Sequence, residues 1–210
     1  MRPQTFKMRS PIFQRIFTFL VVVSITFSIS CEQQATSPSN GPGVLIPLKV
    51  GNSWKNQNIS YDSLGNTTFS FVDSVHVYQD TAVGNETWFS LNRYNTALSY
   101  TNRSDGYYIH IQDYDSTYKT VYRILQYPAN VKDSMFAVDT YVTVVSISDP
   151  IAIKGAISNC YHYRWNIPIG HVEQWVAPNL GIAKTLYFSR LSSGEEYVSS
   201  KIELISFTLH

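Results

Sequence analysis

The sequence predicts an all-β protein, an antiparallel meander that forms a curved sheet or half-open barrel, with a β-sandwich as the alternative. After residue 43, short segments of alternating apolar and polar side chains recur at roughly the 8–12-residue spacing of an all-β fold. The chain has 15 Tyr and 4 Trp, and aromatic and β-branched residues favour pleated, half-buried surfaces. The sequence also contains no convincing amphipathic helix.

The alternation of apolar and polar side chains, together with the turns between the segments, predicts each strand. In the first, Ile59 and Tyr61 alternate with Asn58 and Ser60. A Gly-containing turn at 62–66 follows. The next strand has its apolar residues on one parity, and roughly 9–11 strands are expected in all. Those parity residues are Phe69, Phe71, Val75 and Val77, and the later strands are predicted at 87–94, 107–112, 120–125, 140–148, 151–157, 158–165, 171–176, 182–191 and 196–209.

The start of the domain has an echo near the middle of the chain. Residues 47–54 align with residues 128–135 through shared Pro, Val and Ser positions and an Asn/Asp pair. Either the domain contains a duplication, or both segments are the same kind of entry turn before a long strand. In both cases the midpoint of the domain lies near Pro128.

The first 30 residues differ from the rest and predict a secretion signal. Four basic residues, at positions 2, 7, 9 and 15, precede an uncharged apolar run of 15 residues at 16–30. A membrane-spanning helix needs about 20 apolar residues, so this run has the length of a signal peptide.

The end of the run resembles the lipobox of bacterial lipoproteins, in which a small residue precedes a cysteine that is acylated and becomes the N-terminus. Ile29 and Ser30 fit this pattern, whereas Ser28 stands where the family usually has Leu. The resemblance implies that Cys31 carries lipid, and two or three acyl chains anchor a protein stably. An ordinary signal peptide and an uncleaved anchor are the alternatives. Glu32 follows the cysteine, where an Asp would favour the inner membrane, so the resemblance favours the outer membrane.

The sequence therefore divides into a signal peptide (1–30), a flexible polar tether (31–43) and a single all-β domain (44–210). Without the leader, 12 basic and 15 acidic residues remain, a formal charge of 12 − 15 = −3. A weakly acidic chain without a basic run is a poor nucleic-acid binder. The expected partners are the membrane, reached through the lipid, and an envelope protein or a small ligand.

Two motifs in the domain resemble a group of bacterial lipoproteins. Residues 47–54, PLKVGNSW, match that group's "PLKVGNxW" start, and residues 175–184, WVAPNLGIAK, match its late "aPGvGlvK" element. Asn179 stands where the group often has Gly, and Ala183 where it often has Val. The resemblance implies an all-β lipoprotein domain and brings no catalytic residues. We expect Gly51 and Gly181 at turns of positive φ and both motif tryptophans in a core.

The sequence contains no motif for a cofactor, a metal or a catalytic group. His76, His110 and His162 are predicted in strands without metal-ligand spacing, so satisfied histidines are expected. Asp113 and Asp115 lack the rest of a calcium loop. Cys160 is expected to be a buried thiol. An envelope hydrolase would need convergent carboxylates or histidines, and nothing in the sequence demands them.

Aromatic side chains are the most suggestive feature for function. The candidate ligand-binding residues are Tyr107, Tyr122, Tyr161, Tyr163 and Trp165. They either fill the core as cross-strand pairs or line a concave face that binds an apolar or glycan ligand. The first function hypothesis is therefore a non-enzymatic, lipid-anchored envelope protein that binds a ligand or partner. The second is a structural or interaction module of the outer membrane.

Overall fold

A computed structural model describes residues 43–92, 98–112 and 119–210. The predicted signal peptide, Cys31, the tether up to residue 42, and Asp113 and Asp115 lie outside these residues. The described residues form twelve antiparallel strands and no helix. The predicted all-β class and curved antiparallel meander are therefore confirmed.

The strands are β1 (Ser53–Tyr61), β2 (Thr67–Val83), β3 (Glu86–Leu91), β4 (Leu98–Arg103), β5 (Gly106–Gln112), β6 (Lys119–Gln126), β7 (Ser134–Ala137), β8 (Thr140–Ile153), β9 (Ala156–Ile167), β10 (Gly170–Ala177), β11 (Gly181–Arg190) and β12 (Glu196–Thr208). Their number in the described chain slightly exceeds the predicted 9–11. The four-residue β7 follows the second entry turn and is absent from the predicted strands.

The sheet runs in the order β6-β5-β4-β3-β2-β1-β12-β11-β10-β9-β8-β7. The chain runs outward from β1 to the edge strand β6, continues to β7 at the other edge, and returns inward to β12, which pairs with β1. The sheet is curved into a nearly closed barrel. Side chains join the seam between β6 and β7. Gln126 Nε2 donates to Asp133 Oδ2 at 2.9 Å, and Tyr163 OH donates to the carbonyl of Gln126 at 2.7 Å.

The sequence echo corresponds to the same turn built twice. Gly51 N donates to Val77 O at 2.9 Å, and Lys132 N donates to Val144 O at 2.8 Å. The backbone φ is 95° at Gly51 and 74° at Lys132. The two turn residues are 132 − 51 = 81 positions apart in the sequence, and the residues that accept their hydrogen bonds are 144 − 77 = 67 apart. The two separations differ because the β7–β8 hairpin is 14 residues shorter than the β1–β2 hairpin. The six-strand halves β1–β6 and β7–β12 thus begin with equivalent entry turns.

The connections alternate between two ends of the barrel. We call the end with both entry turns the entry end; its described connections are 48–52, 84–85, 104–105, 127–133, 154–155 and 178–180. The opposite, far end has the described connections 62–66, 138–139, 168–169 and 191–195. Residue 43, where the described chain starts, lies at the entry end, because Asn179 N donates to Val44 O at 2.8 Å.

The hydrophobic core lies mainly on the inner face of the sheet. Trp54 is fully buried there and its indole N–H donates to the carbonyl of Leu180 at 3.1 Å. Val75 and Val77 on β2 and Val142 and Val144 on β8 are buried too. Fully burying each such side chain contributes roughly 1.5–3 kcal/mol.

Residues 43–92, 98–112 and 119–210 include no helix that is long and apolar enough to cross a membrane.

Candidate functional site

Cross-strand register places a row of side chains across the inner face. From β2 to β8 each residue lies directly opposite the next, which puts neighbouring Cβ atoms about 4.5–5.5 Å apart. The row consists of Phe71, Asn58, Ile202, Thr185, Gln174, Tyr163 and Val144. A second row, two residues closer to the far end, consists of Phe69, Ser60, Ser200, Tyr187, Val172, Trp165 and Val142.

Five residues of this inner face are buried and hold polar atoms that make no hydrogen bond. We call them the inner polar cluster. The atoms are Nδ2 and Oδ1 of Asn56, Nδ2 of Asn58, Oε1 of Gln174, Oγ1 of Thr185 and Nε1 of Trp165. The five residues are between 0% and 7% exposed. A buried polar group without a partner costs about 1–3 kcal/mol, so a native protein rarely keeps several together without a bound molecule.

The inner face is open toward solvent beside the buried cluster. Phe69 and Phe71 share its face but are 61% and 40% exposed, and their rings contact each other at 5.4 Å between centroids. On the other side Val142 and Val172 are buried against Trp165. The inner face is therefore filled beneath β8–β10 and accessible beside β1 and β2 at the far end.

The cluster consists of neutral hydrogen-bonding groups beside one carboxylate, since Asp73 lies directly opposite Asn56 on the same face. Amides supply both donors and acceptors, a hydroxyl supplies either, and an indole N–H supplies a donor. None of these groups is ionised near neutral pH. Flat rings of Tyr163, Trp165 and Phe71 border them. An apolar, aromatic lining with a few fixed polar groups is typical of small-molecule sites.

The structure separates the five predicted site residues. Tyr163 and Trp165 lie on the inner face beside Gln174 and Val172. Tyr161 shares their parity and contacts Tyr163 and Tyr127, with centroids 6.3 Å and 5.2 Å apart. Tyr107 is buried on β5, stacked on Tyr100 at 5.6 Å, and Tyr122 is partly buried against the core. These positions do not test binding, so a ligand role for the five residues stays a prediction.

The sequence analysis missed the three amides and the threonine of the inner polar cluster. Their signal was parity: Asn56 and Asn58 follow Trp54 at two-residue intervals and must face the same way. Gln174 likewise alternates with Val172 and Val176, both buried.

The opposite face of the same strands carries a second polar group, which we call the outer network. Its centre is Glu173, whose carboxylate accepts hydrogen bonds from Arg164, Nε at 3.1 Å. His162 Nε2 lies 3.5 Å from Glu173, and His171 Nε2 lies 3.6 Å from it. Their other ring nitrogens reach Asp149 and Glu196, each at 3.1 Å.

Trp175 completes the outer network. Its ring stacks on His162 with centroids 4.2 Å apart, and its indole N–H donates to Asp149 Oδ2 at 3.0 Å. Burial lowers the pKa of His162 against the opposing pull of Glu173 and Asp149. Burial raises the pKa of Asp149, but hydrogen bonds from Ser146, Trp175 and His162 outweigh it, and the net shift is downward. His162 thus lies between two carboxylates with Nδ1 close to Asp149, whereas its Nε2 makes no hydrogen bond with a described residue.

No group of three or more His, Cys, Asp or Glu side chains within the described ranges is placed to hold a metal ion. Cys160 is fully buried near Asp149, and burial raises the pKa of its thiol to about 12. A thiol with such a pKa is an inert structural group, because the thiolate is the reactive form.

Comparison with known proteins gives the fold and nothing finer. No family model matches the chain, and no curated protein matches it. One solved structure that is similar is the crystal structure of a "putative lipoprotein" from Parabacteroides distasonis ATCC 8503. It has a TM-score of 0.50 and 11% sequence identity, and the match covers 80% of this chain and 100% of that one. The two chains share the all-β architecture.

Proposed function

We propose that this protein is a lipid-anchored protein of the cell envelope that binds a small neutral glycan on the inner face of its sheet and catalyses no reaction. The observation that supports it is the inner polar cluster, in which six buried polar atoms lack partners beside aromatic rings. Sugars offer hydroxyls that both donate and accept hydrogen bonds, and C–H faces that pack on aromatic rings. A glycan bound beside Phe69 and Phe71 would meet the cluster at Asn58, which lies opposite Phe71.

Lipid anchoring is supported by the apolar leader that ends at Cys31. The similar structure from Parabacteroides distasonis, named a "putative lipoprotein", is consistent with this. Glu32 follows Cys31, and this supports the outer membrane as the proposed location.

A second candidate function is an interaction module for an envelope partner. It is favoured by Phe136 and Tyr141, which are both exposed next to the seam and contact each other at 5.3 Å between centroids. Exposed aromatic pairs are common anchors in protein interfaces.

The glycan proposal is tested by titrating the mature protein with glucose, galactose, N-acetylglucosamine and their short oligomers, with calorimetry as the readout. Asn58→Leu and Thr185→Val remove polar atoms of the cluster while keeping the volume nearly unchanged. Each lost hydrogen bond is expected to weaken binding by about tenfold or less.

The matched control is Ser193→Ala, a hydroxyl in the exposed far-end turn that bonds Glu195. This variant should bind as the parent does. If no sugar binds, or if the two cluster variants bind every sugar as well as the parent, the glycan proposal is wrong. The second candidate would be supported by a different result. In that case no sugar binds, the immobilised parent retains an envelope protein, and Phe136→Ala does not retain it.

A further inference from the structure

The two ends of the barrel differ in charge. Lysines occur in three of the described entry-end connections, at Lys49, Lys132 and Lys154. The described far-end connections contain no lysine or arginine but hold Asp62, Asp139 and Glu195. A domain whose formal charge is weakly negative is therefore basic at one end and acidic at the other.

The entry-end lysines form no ion pair with any described residue, whereas the carboxylates at that end are held by neighbours. These are Glu86 by Arg103 at 2.6 Å, Asp105 by Arg123 at 2.9 Å, and Asp133 by the Gln126 amide at 2.9 Å. The Gln126 amide is neutral and leaves the charge of Asp133 uncompensated, so three unpaired lysines stand against one unpaired carboxylate in the described entry-end connections, a net side-chain charge of 3 − 1 = +2. It is free to meet an anionic partner.

Exposed aliphatic side chains lie among these lysines. Val50 and Val131 occupy equivalent positions of the two entry turns, and both are exposed. Val44 and Leu209, near the two ends of the described chain, are exposed as well. His210 N donates to Asn52 at 2.9 Å, which keeps the end of the chain next to the first entry turn. The repeated entry turn therefore places a valine and a lysine at each of two separate points on the same end.

The tether leaves the domain at this end. Val44 is fixed to the 178–180 turn by the bond from Asn179, and the stretch from Cys31 to Gly43 spans 43 − 31 = 12 residues. Twelve residues span at most about 40 Å when fully extended. A lipid on Cys31 would thus hold the entry end within about 40 Å of the bilayer.

We infer that the entry end docks onto the surface of the anchoring membrane, with Lys49 and Lys132 against anionic headgroups and Val50 and Val131 at the headgroup boundary. The inference rests on the lipid anchor proposed above. Basic residues are attracted to anionic lipid surfaces within a Debye length, and short aliphatic side chains add to this only in contact. The far end, with Phe69 and Phe71 beside the inner polar cluster, then faces away from the membrane.

The test uses the full lipidated chain reconstituted into vesicles of phosphatidylethanolamine and phosphatidylglycerol. Val50→Cys, Val131→Cys and the control Leu64→Cys are labelled one at a time with an environment-sensitive fluorophore, and lipids with a spin label near the headgroup quench it. Cys160 is buried and does not compete for the label. Labels at positions 50 and 131 should be quenched, and the label at position 64, in the far-end turn, should not be.

Two further readings make the outcome decisive. Lys49→Glu combined with Lys132→Glu should reduce quenching at position 131 several-fold, and so should high salt or vesicles of phosphatidylcholine alone. If the protein floats with the vesicles but all three labels are quenched equally, the docking inference is overturned while the anchor stands. If the protein does not float with the vesicles, the anchor itself is wrong.

Discussion

Strands β9, β10 and β11 carry buried polar residues on both faces, and the two sets can be compared directly. On the outer face Glu173, Trp175 and Nδ1 of His162 have partners within hydrogen-bond or ion-pair distance, while Nε2 of His162 makes no hydrogen bond within the described chain. On the inner face Gln174 and Thr185, one residue away on the same strands, have polar atoms with none. Burial is similar, so the environment alone does not explain the difference. Paired polar groups stabilise the fold directly, whereas buried unpaired groups indicate that water or another molecule is normally bound to them.

The largest expected effect comes from breaking the outer network. Glu173→Ala should lower the free energy of unfolding by about 2–3 kcal/mol, because Arg164, His162 and His171 lose their shared acceptor. The measurement is urea unfolding followed by tryptophan fluorescence. Glu203→Ala, which removes a surface ion pair with Lys201 at 2.9 Å, is the control and should cost about 1 kcal/mol or less. Equal losses in the two variants would mean that the outer network is not structural.

The inner polar cluster should respond in the opposite direction. Asn56→Leu replaces an amide that has two unpaired atoms with an apolar side chain of similar size, so the ligand-free protein should gain about 1–2 kcal/mol of stability. The same unfolding experiment checks it. A loss of more than about 1 kcal/mol would mean that Asn56 has bound water or another partner in the free protein.

Thr185→Val should give a smaller gain of about 1 kcal/mol, because a single hydroxyl is removed and the shape is kept. Its stability must be read together with its ligand binding. A stabilised variant that has lost sugar binding would show that the threonine serves the site at the expense of the fold.

The smallest expected effect is a pH dependence that belongs to the outer face alone. Because burial lowers the pKa of His162 in the folded state, the unfolded chain binds its proton first as the pH falls. Stability should therefore decrease below about pH 6.5, by about 1 kcal/mol or less. Unfolding midpoints of the parent and of His162→Gln between about pH 8 and about pH 5 check this. The variant should show a flatter profile, while Asn56→Leu should keep the slope of the parent.

The fold could be predicted because alternation and turn residues act locally. Val75 and Val77 on β2, the glycine turns at Gly51 and Gly181, and the buried Cys160 all follow from two-residue periodicity and from φ at tight turns. The echo at Pro128 also corresponds to a real repeated turn.

The inner polar cluster could not be predicted in the same way, because two-residue periodicity gives the face on which a side chain lies but not how deeply it is buried. Phe69 and Phe71 share parity with Val75 and Val77 yet are exposed, because the barrel is open at that point. In β1 the apolar residues Ile59 and Tyr61 point outward, and the polar Asn58 is buried opposite Ile202. Which polar residues meet on the inner face depends on the register of strands more than a hundred residues apart.

The short β7 has a consequence for how copies of this protein meet. It pairs with β8 only at Thr140–Thr143, so β8 continues to Ile153 as an edge of the sheet. An uncovered edge is a template on which a second chain can add a strand. Here Pro150 lacks an amide hydrogen and two register shifts interrupt the ladder between Val144 and Asp149. The uncovered part of β8 is therefore a poor template on which a second copy could add a strand.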